Sequence, residues 1–166
     1  MNEIVVGSEE WLNQVTEEIV EPDIRIIDPH HHLWDFPTST YLVKELQEDT
    51  ASGHNVEKTI YMECGVGYYE EGPDHLKSVG ETESVAKHAD ESKRSGGSPI
   101  AGIVSRADLR IGDLLDETLD AHLEASNGLF RGIRHAGASA EYPDELLIPG
   151  GAPRDLFYDD DFINGV

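Results

Sequence analysis

The stretch IRIIDPHHHLWDF, residues 24–36, decides the fold, because a short β-rich run passes directly into three consecutive histidines. Three similar apolar runs follow along the chain, and each of them ends in polar residues. Short strands that alternate with helical segments are typical of βαβ crossovers on a parallel sheet. The predicted strands are residues 24–28, 58–64, 99–109 with its exit loop, and 129–135; the predicted helices between them are 41–53, 81–97 and 111–128.

One more helix is predicted before the first strand. In residues 8–20 the apolar side chains fall on one helical stripe, and Pro22 ends the pattern; the stripe consists of Trp11, Leu12, Val15 and Ile19. Residues 1–23 are therefore interpreted as an N-terminal helix and lead-in, and residues 24–166 as one α/β domain. A Pro/Gly-rich loop is predicted to follow the fourth strand up to about Pro153.

Two architectures fit this order of elements, an open doubly wound sheet and a (β/α)₈ barrel. No glycine-rich phosphate fingerprint follows any predicted strand, so nucleotide binding has no support. Polar residues gather just after the strands, in DPHHH, ECG, SRADL and RHAG. Both architectures place their active site at this end of the strands.

The charge balance excludes several classes of partner. With 34 acidic and 12 basic residues the net charge is −22, so neither nucleic acid nor an anionic membrane surface is expected to bind. The chain has one cysteine, Cys64, which fits a reducing compartment and is interpreted as a buried small hydrophobe. No apolar run has the length of a membrane span, and a cytoplasmic protein is expected.

The histidine run has the spacing of a metal site. Side chains two apart on an extended chain point the same way, so Asp28, His30 and His32 are expected to share one side. His31 should point away and either serve packing or support the metal ligands from behind. Two imidazoles at this spacing can bind one metal ion, with Asp28 as a further ligand or an orienting partner. The alternative is a hydrogen-bonded or solvent-exposed histidine, which is the interpretation given to the chain's isolated histidines.

Other polar residues after the strands are candidates for substrate contact. Glu63 could bind substrate or transfer a proton, and its alternative is a simple salt bridge. Arginine suits a substrate carboxylate, and at least one of Arg134 and His135 should reach the site, although the pattern does not say which. Trp34 and Phe36 could line an apolar pocket for substrate, or belong to the core under the first loop.

Five motifs of the chain resemble the amidohydrolase-related proteins, and more narrowly the metal-dependent TIM-barrel hydrolases that include sugar and muconate-type lactonases. The motifs are IIDPHHHLWD, YMECG, GPDHLKSVGETE, IAGIVSRADL and FRGIRHA, and the resemblance runs from about residue 20 to the C-terminus. It implies a (β/α)₈ barrel in which His30 and His32 hold a divalent ion, zinc or else manganese. Metal-activated water would then attack a lactone or similar carbonyl while a carboxylate moves the proton. The family's other histidine ligands and its catalytic aspartate come from later strands, and Asp28 and Glu63 are the candidates for catalytic roles in this chain.

The length of the chain limits this expectation. A complete barrel needs about 250 residues, so residues 24–166 are expected to be the first half of one, truncated after about four strands. The unpaired sheet edge would invite self-association or a chain that supplies the second half. Alternatives are a decarboxylase on the same scaffold, and a non-catalytic remnant that needs a partner chain.

Overall fold

The computed structural model of the protein describes residues 5–139 and 152–166. Four strands form one parallel sheet in the order β1-β4-β5-β6, and two short strands, β2 and β3, pair antiparallel as a hairpin. The predicted α/β class with a parallel sheet is confirmed. The strands are β1 (Arg25–His31), β2 (Trp34–Phe36), β3 (Ser39–Tyr41), β4 (Asn55–Met62), β5 (Ile100–Arg106) and β6 (Phe130–Arg134).

The main helices form a single layer, because α3 contacts both α2 and α4. The helices are α1 (Glu9–Leu12), α2 (Val43–Thr50), α3 (Val79–Ser95), α4 (Leu114–Ala125) and α5 (Asp160–Gly165), with 3₁₀ turns at Asp74–Leu76 and Leu156–Tyr158. Among the described residues, none of these helices has the length and apolar character needed to cross a membrane.

The hydrophobic core lies between the sheet and this helical layer. Tyr61, Ile100 and Ile103 of the sheet are all within 1% of complete burial and pack against α2 and α3. Burial of one large apolar side chain contributes about 1.5–3 kcal/mol, so this cluster fixes the helices on the sheet. In the described part of the chain no helix covers the opposite face of β1, and Ile27 there is 58% exposed.

The N-terminal helix prediction was wrong in length. Only Glu9–Leu12 are helical, and the stripe predicted over residues 8–20 is exposed along its whole length. Helices of this size are marginal in water unless an apolar face packs on another part of the protein, and within residues 5–139 and 152–166 nothing buries the stripe. The Pro/Gly-rich loop predicted to reach about Pro153 lies mostly outside the described residues.

Helix α4 buries a polar pair of side chains, Thr118 and His122, where the sequence shows its clearest apolar stripe. The imidazole of His122 is fully enclosed; its Nδ1 lies 2.9 Å from Thr82 Oγ1 and its Nε2 lies 3.0 Å from the carbonyl oxygen of Arg106. The carbonyl can only accept, so Nε2 donates and Nδ1 accepts from the threonine hydroxyl. Burial lowers the pKa of His122, because the charged ring would lose its hydration.

This lowered pKa predicts a pH dependence of stability. The folded state binds fewer protons than the unfolded chain, whose histidine titrates near 6.5. The contribution of His122 is therefore complete above that pH and is lost as the pH falls below it. We expect the free energy of unfolding of wild type, measured in urea between pH 8 and 5, to fall as the pH falls. The part of this slope due to His122, up to about 1.4 kcal/mol per pH unit, should be absent in His122→Gln.

The matched control is His54→Gln, since His54 is exposed and its side chain is in water in both states. It should leave the slope of wild type unchanged. If the free energy of unfolding depended on pH in the same way in wild type and His122→Gln, a lowered pKa of His122 would be contradicted.

Candidate functional site

The candidate site is a cavity at the carboxyl ends of the four parallel strands. Its volume is about 680 Å³. Because the strands are parallel, the residues that follow them meet at the same edge of the sheet. Among the described residues, the polar side chains that line the cavity are His32, Glu63, Cys64, Tyr68, Arg106, Arg134 and His135.

His30 and His32 meet at this edge as the alternation of side chains predicts. Their Nε2 atoms lie 3.2 Å apart. Nδ1 of His32 lies 2.9 Å from the carbonyl oxygen of Met62, to which it donates. The proton of a neutral His32 is thereby on Nδ1, so its Nε2 presents a lone pair towards the ring of His30.

The placement predicted for Asp28 was wrong. In the pairing of β1 with β4, Asp28 lies opposite Thr59 and His31 lies opposite Tyr61, so a bulge adds one residue between them. The bulge reverses the alternation, because the extra residue shifts everything after it to the other face. Asp28 therefore shares the helix-side face with the buried His31, and its Oδ1 accepts the backbone N–H of His30 at 3.0 Å.

Glu63 is fixed in the cavity wall by Arg134. Nε of Arg134 donates to Oε1 of Glu63 at 2.7 Å, and Nη2 donates to the backbone carbonyl of the same residue. The glutamate side chain is 8% exposed and the arginine side chain 38% exposed, so the carboxylate is largely removed from water while the guanidinium is not. The salt bridge that the sequence left as an alternative for Glu63 is present. Among the described residues its other oxygen, Oε2, has no hydrogen-bond partner.

His135 reaches the cavity as a neutral donor. Its Nδ1 accepts the backbone N–H of Leu109 at 3.1 Å, which places the ring proton on Nε2. Burial lowers the pKa of His135 more than the nearby carboxylate of Asp108 raises it. The 3.6 Å approach of Asp108 to Nδ1 is therefore not an ion pair. Both Arg134 and His135 line the cavity, which answers the question that the sequence pattern left open.

Trp34 and Phe36 line a different pocket, of about 390 Å³. The ring of Trp34 stacks on Tyr41 across the β2–β3 hairpin, with ring centroids 5.1 Å apart. Gly65 lines both pockets, so the loop after β4 separates them. This pocket, which Asp35, Glu81 and His88 also line, is not the one beside His32.

The loop after β4 is held by a carboxylate of α3. Glu81 is 2% exposed, and its Oε1 accepts from the hydroxyl of Tyr61 at 2.7 Å and from the N–H of Cys64 at 2.8 Å. The residue before it has no room for a side chain, because a Cβ on Gly80 would lie 2.6 Å from the carbonyl oxygen of Gly67. The interpretation of Cys64 as buried was wrong: it is exposed and lines the cavity.

Sequence reasoning missed three residues that shape the site: Tyr68, Glu81 and Arg106. Two of them lie within the motifs GPDHLKSVGETE and SRADL. The sequence did contain a signal for Arg106. Like Arg134, it is an arginine at the end of a strand, and the two residues lie opposite each other in the pairing of β5 with β6. In so acidic a chain, however, a single arginine is expected to pair with a carboxylate.

The metal site suggested by the sequence is incomplete in this structure. Within residues 5–139 and 152–166 no group of three or more histidine, cysteine, aspartate or glutamate side chains could hold an ion. His30 and His32 are thus a pair of ligands without a third from the described residues.

Comparison with known proteins gives one relative and no function. The chain is 34% identical over 139 residues to a protein of Sinorhizobium fredii named as uncharacterized protein y4mH; the match covers 69% of this chain and 40% of that protein. This chain therefore spans less than half the length of the relative. No family model matches the chain, and no solved structure matches it.

The ion pair in the cavity wall predicts a measurable coupling. Removal of Arg134 leaves the largely buried carboxylate of Glu63 without its donors, so Arg134→Gln should lower the free energy of unfolding by about 1–3 kcal/mol. Glu63→Gln should cost less, because Arg134 is 38% exposed and keeps its bond to the backbone carbonyl of residue 63. In a double-mutant cycle the two changes should be clearly non-additive, because they remove the same interaction.

The exposed pair Arg25 and Glu57, at the other end of the sheet, provides the control cycle. Water screens that pair, so its coupling should be the smaller of the two. Equal coupling energies would show that Arg134 does not hold Glu63 in solution.

Proposed function

We propose that this chain supplies the first βα units of an amidohydrolase-related (β/α)₈ barrel, and that its cavity is part of a metal-dependent hydrolase site. The substrate would be a lactone or similar carbonyl compound. The observation that carries the proposal is the pair of imidazole nitrogens of His30 and His32, 3.2 Å apart at the carboxyl end of a parallel sheet.

The strand order supports the barrel. A doubly wound sheet reverses its order at a switch point, whereas the four strands here follow one another as β1-β4-β5-β6 without a reversal. The helices between them form one layer on one face, as they do around a barrel. The uncovered face, with Ile27, would then be the interior of the barrel, and further strands would continue from the edge of β6. A second copy of this chain or a second-half chain could supply them.

The histidine pair fits a divalent ion. Two Zn–N bonds of about 2.0–2.1 Å at a tetrahedral angle place the nitrogens about 3.3–3.4 Å apart, close to the distance observed. The hydrogen bond from Nδ1 of His32 to Met62 is the orienting contact that metal-binding histidines usually make. Two ligands leave an open site, so any further ligands would come from beyond the described residues or from a partner chain.

A bound ion would polarise the substrate carbonyl or lower the pKa of a water molecule. The chain's own residues would position the substrate. Oε2 of Glu63, fixed by the arginine on its other oxygen, can accept a hydrogen bond or a proton from water. Nε2–H of His135 can donate to a substrate oxygen. The placement of Asp28 on the other face argues against the catalytic role expected for it from the sequence.

Metal uptake tests the proposal. We expect the purified chain, dialysed against Zn²⁺ and measured by mass spectrometry of the metal, to hold one ion per chain at saturation. His30→Ala and His32→Ala should each weaken zinc binding by at least about tenfold, since loss of even an orienting partner costs that much. Mn²⁺ should bind more weakly than Zn²⁺ at a site of nitrogen ligands.

His54→Ala is the control, because this exposed histidine lies in the turn before β4 and should leave zinc binding unchanged. Failure of wild type to take up stoichiometric metal, or equal uptake by all three variants, would remove the basis of the proposal.

A further inference from the structure

Arg106 stands apart from the other arginines of the sheet. It ends β5 and lines the cavity beside His32 and Glu63. Within the described part of the chain no carboxylate or carbonyl accepts a hydrogen bond from its guanidinium, although the protein carries 34 acidic residues. The other arginines on β1 and β6 are all engaged: Arg25 with Glu57, Arg131 with backbone carbonyls, and Arg134 with Glu63.

The backbone of Arg106 is rigidly held. Its carbonyl oxygen accepts from the hydroxyl of Ser78 at 2.9 Å and from Nε2 of His122 at 3.0 Å. Its Cα is in register with that of Arg134 on the neighbouring strand. The guanidinium therefore projects from a fixed point, so little conformational freedom of the backbone is lost when an anion binds.

Arg134 is not placed to bind an anion in the cavity. Its Nε and Nη2 atoms are both committed to Glu63, and the two charges compensate each other. With His135 neutral, the guanidinium of Arg106 remains as the uncompensated charge among the described residues that line the cavity. A positive centre is thus exposed to the cavity of a protein whose net charge is −22.

Tyr68 contributes a second donor. It lines the same cavity, and its hydroxyl has no hydrogen-bond partner among the described residues. Burial and the carboxylates of Glu81 and Glu63 raise the pKa of Tyr68 to about 12, against the smaller opposing effect of Arg106. The hydroxyl therefore keeps its proton at neutral pH and can donate it to an anion.

We propose that Arg106 and Tyr68 form a carboxylate-binding subsite, so that the molecule taken up by the cavity carries a free carboxylate in addition to its reacting carbonyl. The planar guanidinium matches a carboxylate with two parallel hydrogen bonds, and the phenol completes the contact. The lactone nature of the molecule rests on the function proposed above, whereas the carboxylate contact needs no metal. Charges elsewhere on the surface repel an anion, but salt screens them beyond about 8 Å.

A matched pair of probes tests the subsite: 5-oxotetrahydrofuran-2-carboxylate and its methyl ester, which differ by one charge. Binding to the full chain is measured by ligand-observed NMR titration in the presence of a chelator. We expect the acid to bind wild type at least tenfold more tightly than the ester. Arg106→Gln should weaken binding of the acid by about 10- to 100-fold, as loss of a charge-assisted hydrogen bond does, and leave the ester unchanged.

Three variants sharpen the test. Arg94→Gln removes the same charge from an exposed position in the last turn of α3 and should bind the acid as wild type does. Arg106→Lys keeps the charge without the fork and should be intermediate. Tyr68→Phe should weaken binding of the acid several-fold and leave the circular dichroism spectrum unchanged. This variant tests the subsite even if Arg106→Gln does not fold.

The proposal would be overturned if wild type bound the acid and the ester equally, or bound neither. It would also be overturned if Arg106→Gln and Tyr68→Phe bound the acid as tightly as wild type does. Because the chelator excludes metal, the result is independent of the zinc measurement. If the chain prefers the acid but binds no zinc, the subsite is supported and the hydrolase proposal is contradicted. If the chain takes up zinc but does not prefer the acid, the subsite is contradicted and the hydrolase proposal is supported.

Discussion

A single buried carboxylate, that of Glu81, holds together the end of β4 and the start of α3. Burial of a charge is costly unless hydrogen bonds replace its hydration, and here the hydroxyl of Tyr61 and the N–H groups of Cys64 and Gly65 donate to the same oxygen. The loop that these bonds fix is preceded by Glu63 and followed by Tyr68. The shape of the cavity therefore depends on a residue of the helical layer that lies outside it.

The site itself follows from the parallel sheet. Each of its four strands delivers at least one polar side chain to the cavity from its end or the residue just after it: His32, Glu63, Arg106, and Arg134 with His135. Their environments then assign different tasks to similar groups. Arg134 donates to Glu63 and orients it, whereas the guanidinium of Arg106 has no acceptor among the described residues. The two arginines therefore differ in their hydrogen-bond partners and not in their residue type.

The sequence predicts the parallel sheet, helices α2 to α4 and the opposed directions of His30 and His31, because all of these follow from local periodicity. It fails where a property depends on contacts distant in sequence. The helix expected over residues 8–20 is short because no other described residues bury its apolar stripe, which no local pattern reveals. Asp28 changes face because a bulge offsets the register with β4. That Arg106 has no acceptor among the described residues is seen only when the carboxylates of those residues have been located.

The position of Cys64 has a practical consequence. It is the one cysteine of the chain, it lines the cavity, and its thiol donates to the carbonyl oxygen of Leu33 at 3.6 Å. Partial burial raises the pKa of the thiol, so alkylation would be slow at neutral pH and faster in alkaline buffer. A nitroxide or fluorophore attached there would sit at a single defined place, and its spectrum would follow events in the cavity without any engineered cysteine.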